Sequence, residues 1–218
     1  MFDDVSRRKF LEVLGIGAFA SALESSEKAI GLVKSFEPSR DLVAKTAVQV
    51  DIDRLQAELF EVIRQVGWHP DHNQIGFTHR LGCRPEDEYW DSTGALYDYE
   101  KECFISREKD FAVFNKDLEG TYLHEIVKSL PFQAARVRLM RLAPKKCLSM
   151  HEDTGPRYHL ALKTNPDAYL FYQDKMAAFR IPRDGALYRI DATKNYTEFN
   201  SNRSEERIHL VITDSKES

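Results

Sequence analysis

The sequence predicts a mainly β protein, a barrel or sandwich flanked by α-helices. After Pro131, six short extended runs follow one another at 136–142, 157–163, 168–172, 177–181, 186–190 and 207–213, separated by Pro, Gly, Asn and Asp. Two of these alternate in the manner of strands. Tyr158, Leu160 and Leu162 share one face while Arg157 and His159 share the other, and the run from Arg207 to Ile212 repeats the arrangement. Upstream, two segments instead carry a helical period. With 218 residues and 42% hydrophobic content, the chain is bounded to one sizeable core.

The elements follow in order. Residues 1–24 hold Ser6-Arg7-Arg8-Lys9-Phe10-Leu11, then an uncharged stretch from Val13 to Leu23 that contains Ala18-Phe19-Ala20. A paired cationic head before a short apolar segment and a small-x-small site resembles a twin-arginine export signal. An amphipathic helix with two surface arginines is the plainer alternative and would leave the chain cytoplasmic. The stretch is too short to span a bilayer, so membrane attachment is expected only through an uncleaved signal. Residues 25–50 are polar and mixed and read as a linker. The domain proper is expected over 51–218.

From Asp51, apolar residues at Ile52, Leu55, Leu59, Val62 and Val66 line one face of a helix capped by Asp51. A second helix is expected at 121–130, ended by Pro131. Between them, 68–115 is rich in aromatics, Gly and charge and reads as a lid over a site. Within it, Trp68, Tyr89, Trp90 and Tyr97 are expected to pack under loops. His69 and His72, spaced as His-x-x-His beside Asp71, suit a metal site only on the right turn, and surface histidines are the commoner case.

Charge and cysteine usage exclude some classes. The 31 basic and 35 acidic residues nearly balance and form no basic stripe, so nucleic acid is not an expected partner. Cys83, Cys103 and Cys147 are widely spaced and contain no CxxC, which argues against a structural zinc site or a disulfide scaffold.

Chemistry concentrates near His151-Glu152-Asp153. Residues two apart on an extended chain point the same way, so this imidazole and carboxylate can form two corners of a facial metal site. Taken alone, the pair is as readily a surface turn. Arg207, on a late strand, can grip a carboxylate through two parallel hydrogen bonds, or can simply be a solvated strand arginine.

Several spaced segments together carry a resemblance: Arg138-Leu139-Met140, Ser149-Met150-His151-Glu152-Asp153, Arg157-Tyr158-His159-Leu160, Thr164-Asn165, Phe199-Asn200 and Arg207-Ile208-His209-Leu210-Val211. Upstream, 73–79, Tyr97-Asp98 and Thr121-Tyr122 add to it. Over about residues 55 to 214 the chain resembles the aspartyl/asparaginyl β-hydroxylase family. That resemblance implies a double-stranded β-helix, the jelly-roll or cupin-like fold, using Fe(II) and 2-oxoglutarate to hydroxylate a peptide side chain, an amino acid or another small molecule. It implies His151 and Asp153 as iron ligands, Arg207 as the anchor of the cosubstrate's distal carboxylate, and Arg157 and His159 as residues lining the site.

One position departs from the pattern. The family places a second iron-binding histidine four residues before the asparagine that is Asn200 here, and this chain has Tyr196. No histidine occurs between His159 and His209, and His209 lies beyond Arg207, off the metal. Two protein ligands with bidentate 2-oxoglutarate could still hold iron, or a histidine from the lid, His69, His72 or His79, could reach in. Three readings follow: an active hydroxylase, a pseudo-oxygenase serving as a 2-oxoglutarate- or ligand-binding or regulatory module, and an exported metal-independent protein of cupin shape. The hydroxylase leads because His151, Asp153 and Arg207 persist together.

Overall fold

The computed structural model describes residues 42–98 and 100–216. The expected export signal over 1–24, and the expected linker up to residue 41, lie outside the described residues. Among the described residues, fourteen strands and two α-helices run in the order β1 (Val43–Gln49), α1 (Ile52–Val66), β2 (Gln74–Gly76), β3 (Thr78–His79), β4 (Tyr97–Asp98), β5 (Cys103–Phe104), β6 (Val113–Phe114) and α2 (Tyr122–Ser129). They continue through β7 (Ala134–Leu142), β8 (Lys146–Cys147), β9 (Arg157–Lys163), β10 (Ala168–Tyr172), β11 (Ala177–Phe179), β12 (Ala186–Ile190), β13 (Tyr196–Asn200) and β14 (Arg207–Asp214).

A six-stranded sheet, ordered β1-β12-β9-β14-β7-β2, faces a four-stranded sheet, ordered β11-β10-β13-β8. All pairings are antiparallel. This is the double-stranded β-helix, the jelly roll of the cupins. The period-2 alternation of the large sheet divides its residues between two environments. Leu139, Tyr158, Leu160, Leu162, Ile208, Leu210 and Ile212 turn outward and pack with Leu55, Leu59, Val62, Leu123 and Ile126 of the helices. Arg138, Arg157, His159, Arg207 and His209 alternate with them on the inner face, and these too are buried. Between the sheets, one end is filled by Ala161, Leu170, Tyr172, Phe179, Ile190 and Tyr196. The charged residues lie beside this cluster, and Tyr196 borders both.

The helices form for the expected local reasons. The Asp51 side chain accepts from the Arg54 N–H, and the Thr121 side chain accepts from the His124 N–H. Glu58 of α1 accepts from the backbone N–H groups of Tyr122 and Leu123 at 2.7 and 2.9 Å, so one helix supplies the anion for the other's positive end.

Some expectations change. The linker expected over 25–50 is too long, since Val43–Gln49 is the edge strand β1, paired with β12 in the register Val43↔Ile190 and Lys45↔Tyr188. Its Lys, Thr and Gln made it read as polar coil, yet such residues suit a strand whose alternate side chains meet solvent. β13 was not among the six expected runs, because Tyr196-Thr197-Glu198-Phe199-Asn200 mixes polar and apolar residues on both faces. The region 68–115 is less a loose lid than a set of short strands fastened to the barrel. β2 pairs with β7, and the Arg136 Nε donates to the Ser92 carbonyl at 2.8 Å. Trp68, Tyr89 and Trp90 pack against the main core and Tyr97 meets Phe104 edge-on, as packing residues should.

Leu210, fully buried at the centre of β14, tests this arrangement. Leu210→Ala is expected to lower unfolding free energy by about 2–5 kcal/mol. Urea denaturation reads this as a shifted midpoint at unchanged slope; a loss under 1 kcal/mol would mean that the packed outer face does not carry the fold.

Candidate functional site

β13 and the segment before β9 bring the His151-Glu152-Asp153 turn to the mouth of the barrel. His151 and Tyr196 exchange backbone hydrogen bonds at 3.0 Å in both directions, and the Asp153 N–H donates to the Ala192 carbonyl at 2.7 Å. The turn is therefore pinned to the small sheet while Arg157 and His159 approach from the large one. Between them lies a cavity of about 50 Å³. His151, Asp153, Arg157, His159 and Tyr196 all line it; Arg207 does not.

His151 has a defined tautomer. Its Nδ1 lies 2.8 Å from the Ser149 carbonyl, which can only accept, so the proton resides on Nδ1. Nε2 points towards Asp153, 3.9 Å from Oδ2. Metal-binding histidines are commonly oriented in this way, with the second nitrogen held by a carbonyl.

Both oxygens of Asp153, however, are engaged. Oδ1 lies 2.9 Å from Arg157 Nη2, and Oδ2 accepts from the Tyr196 hydroxyl at 2.9 Å. Burial, and then the negative charge of Asp153, hold the Tyr196 hydroxyl well above its ordinary pKa. Tyr196 is thus a neutral phenol donating to the carboxylate, not a phenolate ligand. Among the described residues, no group of three or more His, Cys, Asp or Glu side chains is placed to hold a metal ion. His151 and Asp153 offer two donors, one beside a guanidinium. This donor set does not fit an Fe(II) ion held by three protein ligands.

The lid histidines do not supply the third. His69 stacks on His72 at 4.4 Å and meets Trp90 edge-on, while His79 lies 3.9 Å from Glu88. None of these three lines the cavity.

Arg207 is committed elsewhere. Its Nη2 donates to Glu198 Oε2 at 2.5 Å, and both side chains are about 2% exposed. Burial raises the Glu198 carboxyl, but Arg207 and then His159 outweigh it, and the pKa falls to about 2. Where an external dicarboxylate was expected, the chain presents its own carboxylate. Glu198 is a cavity residue that sequence reasoning missed, although it shares a strand face with Tyr196 and Asn200. Glu198 Oε1 has no hydrogen bond and lies 3.5 Å from His159 Nδ1, which in turn lies 3.3 Å from His209 Nδ1. Desolvation lowers His159 to about 4, so both imidazoles are neutral at pH 7.

A second buried carboxylate was also missed. Glu108 Oε1 lies 2.7 Å from Arg157 Nη2 and 3.0 Å from Arg136 Nη1, joining the lid to β9 and β7. β7 carries one extra residue against β14 here, with Arg136 at a positive φ of 34°, which aims that guanidinium at Glu108. The signal was a pair of arginines, Arg136 and Arg138, alternating with Val137 and Leu139. Asn165 and Asn200, both part of the resemblance, hydrogen-bond each other at 3.2 Å and brace loops away from the cavity.

No protein-family model matches the chain, and no curated relative does. Solved structures similar to it include AviO1 from Streptomyces viridochromogenes, at 14% identity and TM-score 0.44, covering 82% of this chain and 92% of that one. A Pseudomonas putida prolyl-4-hydroxylase matches at 11% identity and TM-score 0.43, covering 78% and 90%. The non-heme alpha-ketoglutarate-dependent epimerase SnoN from nogalamycin biosynthesis matches at 14% identity and TM-score 0.44, covering 87% and 84%.

Three buried groups, His159, His209 and Glu198, contribute to the acid response. His159, near 6.5 when unfolded and about 4 when folded, contributes stability that is complete above pH 6.5 and declines as pH falls towards 4. Glu198, 4.5 against about 2, extends the loss from pH 4.5 downward. Urea midpoints measured from pH 8 to 3 are expected to fall in both windows, and His159→Gln is expected to reduce the slope of the upper one, with His209 supplying the remainder. Equal slopes for the two proteins between pH 6.5 and 4.5 would remove His159 from this account.

Proposed function

We propose that this chain is an oxygenase-type double-stranded β-helix protein that binds a small polar molecule or a peptide side chain without turnover by Fe(II) and 2-oxoglutarate. The observation that carries this reading is the Glu198 carboxylate on Arg207. A dicarboxylate entering the same place would have to displace a buried ion pair, and separating such a pair costs about 3–5 kcal/mol. The neutral phenol at the third ligand position adds to the case, since it leaves iron two protein donors at most. On this reading the resemblance to the aspartyl/asparaginyl β-hydroxylase family marks descent of the fold rather than of the reaction.

A hydroxylase remains the second reading, favoured by one feature: His151 presents Nε2 towards Asp153, oriented as a ligand would be. Anaerobic titration of the full chain with Fe(II) and 2-oxoglutarate separates the two. We expect no saturable metal-to-ligand charge-transfer absorption for the natural protein, and its appearance in a Tyr196→His/Glu198→Ala double variant. A saturable band in the natural protein that is lost in His151→Ala establishes the oxygenase instead.

Export through Arg7 and Arg8 belongs to the same proposal. A pocket that requires no 2-oxoglutarate is independent of a cytoplasmic cosubstrate supply. Fractionation of cells expressing the full chain is expected to place it outside the cytoplasm, with Arg7→Lys/Arg8→Lys retained inside; identical fractions for the two would end the export reading.

A further inference from the structure

The inner wall of the barrel holds four guanidiniums, Arg136, Arg138, Arg157 and Arg207, against three carboxylates, Glu108, Asp153 and Glu198. Arg136 and Arg157 share Glu108, Arg157 also holds Asp153, and Arg207 holds Glu198. Arg138 is left over. It is buried, its Nη1 reaches only the neutral Gln74 amide at 3.2 Å, and its Nε has no hydrogen-bond partner. Glu108 and Asp153 act on it only from beyond ion-pair distance, and both are already held by other guanidiniums, so the wall carries one more cation than it has carboxylates.

The opposite group lies in the same cavity wall. Glu198 Oε1 is buried and accepts no hydrogen bond, although its partner oxygen is held by Arg207. Arg138 and Glu198 both line the cavity, and each carries a buried polar atom without a hydrogen-bond partner, a donor on the first and an acceptor on the second. Between them the walls include Met140, Leu148 and Val211. The volume of about 50 Å³ compares with the 10–15 Å³ one water requires, so the cavity admits only a molecule the size of a few waters, such as a two- or three-carbon acid.

We propose that the pocket binds a small monoanionic carboxylate that carries a hydroxyl group, with the carboxylate on Arg138 and the hydroxyl donating to Glu198. The unmatched positive charge calls for one negative charge, and the planar guanidinium suits a carboxylate. The free Glu198 oxygen calls for a donor on the same molecule. Glycolate and lactate have this chemistry at this size; a dicarboxylate carries a charge too many, and a zwitterionic amino acid one too few. Entry is past His151 and Asp153, whose side chains are 27% and 25% exposed at the mouth. This assignment deepens the binding reading above and rests on it.

The test is calorimetric titration of the full chain with glycolate and lactate, each against propionate, L-alanine and 2-oxoglutarate at matched ionic strength. One saturable site is expected for glycolate or lactate. Propionate, which leaves the Glu198 oxygen without a donor, should bind on the order of 10-fold more weakly. Arg138→Met should weaken the hydroxy acid on the order of 10- to 100-fold. Equal or tighter binding of propionate or alanine overturns the proposal, as does undiminished binding to Arg138→Met or no binding of either hydroxy acid at millimolar concentration. Should Arg138→Met fail to fold, the comparison among ligands on the natural protein decides alone. The binding reading itself fails separately, by the charge-transfer band described above, which none of these monoacids produces.

Discussion

Burial of charge between the two sheets is the constraint on which the rest of this molecule depends. A guanidinium or carboxylate removed from water is tolerable only when its partners are at hand and well oriented. The inner face of β7, β9 and β14 carries four such cations, and the carboxylates that answer them come from elsewhere: Glu108 from the lid, Asp153 from the turn before β9, and Glu198 from the small sheet. The placement of these three segments follows from the need to meet the arginines. The apolar outer face and its helices supply the cohesion that makes so polar an interior affordable.

The residues expected to bind iron and 2-oxoglutarate are met by other side chains of this protein. Arg207 meets an internal carboxylate, Asp153 meets a guanidinium and a phenol, and His151 points Nε2 towards Asp153 at the mouth. Each pairing is locally sound, since it satisfies a buried polar group with another. Tyr196 and Glu198 lie on the same face of one strand, so β13 alone supplies both the phenol that meets Asp153 and the carboxylate that meets Arg207.

Much of the fold was legible because it rests on local periodicity. The bounds of β9, β10 and β12 coincide with alternating or apolar runs, and Asp51 and Thr121 mark the two helix starts through capping chemistry. β1 and β13 were not legible, because edge position and a polar interior both disguise the alternation. At the site, sequence placed His151, Asp153, Arg157, His159 and Tyr196 around one cavity, but it could not show that Arg207 is spoken for. Ion pairing between strands depends on register, and Glu198 acquires its meaning only when β13 folds over β14. Glu108 was invisible for the same reason, being separated from Arg157 by 49 positions in the chain.

Glu108 has a mechanical consequence. Loops are ordinarily tethered at their two ends, so that their middles move at little cost. The segment between β5 and β6 is instead riveted at its middle, by one carboxylate oxygen that serves guanidiniums on two different strands. Lifting it strands Arg136 and weakens the hold on Arg157 in the same motion. The segment therefore has no gradual way of loosening, and it behaves as a latch that is either seated or released.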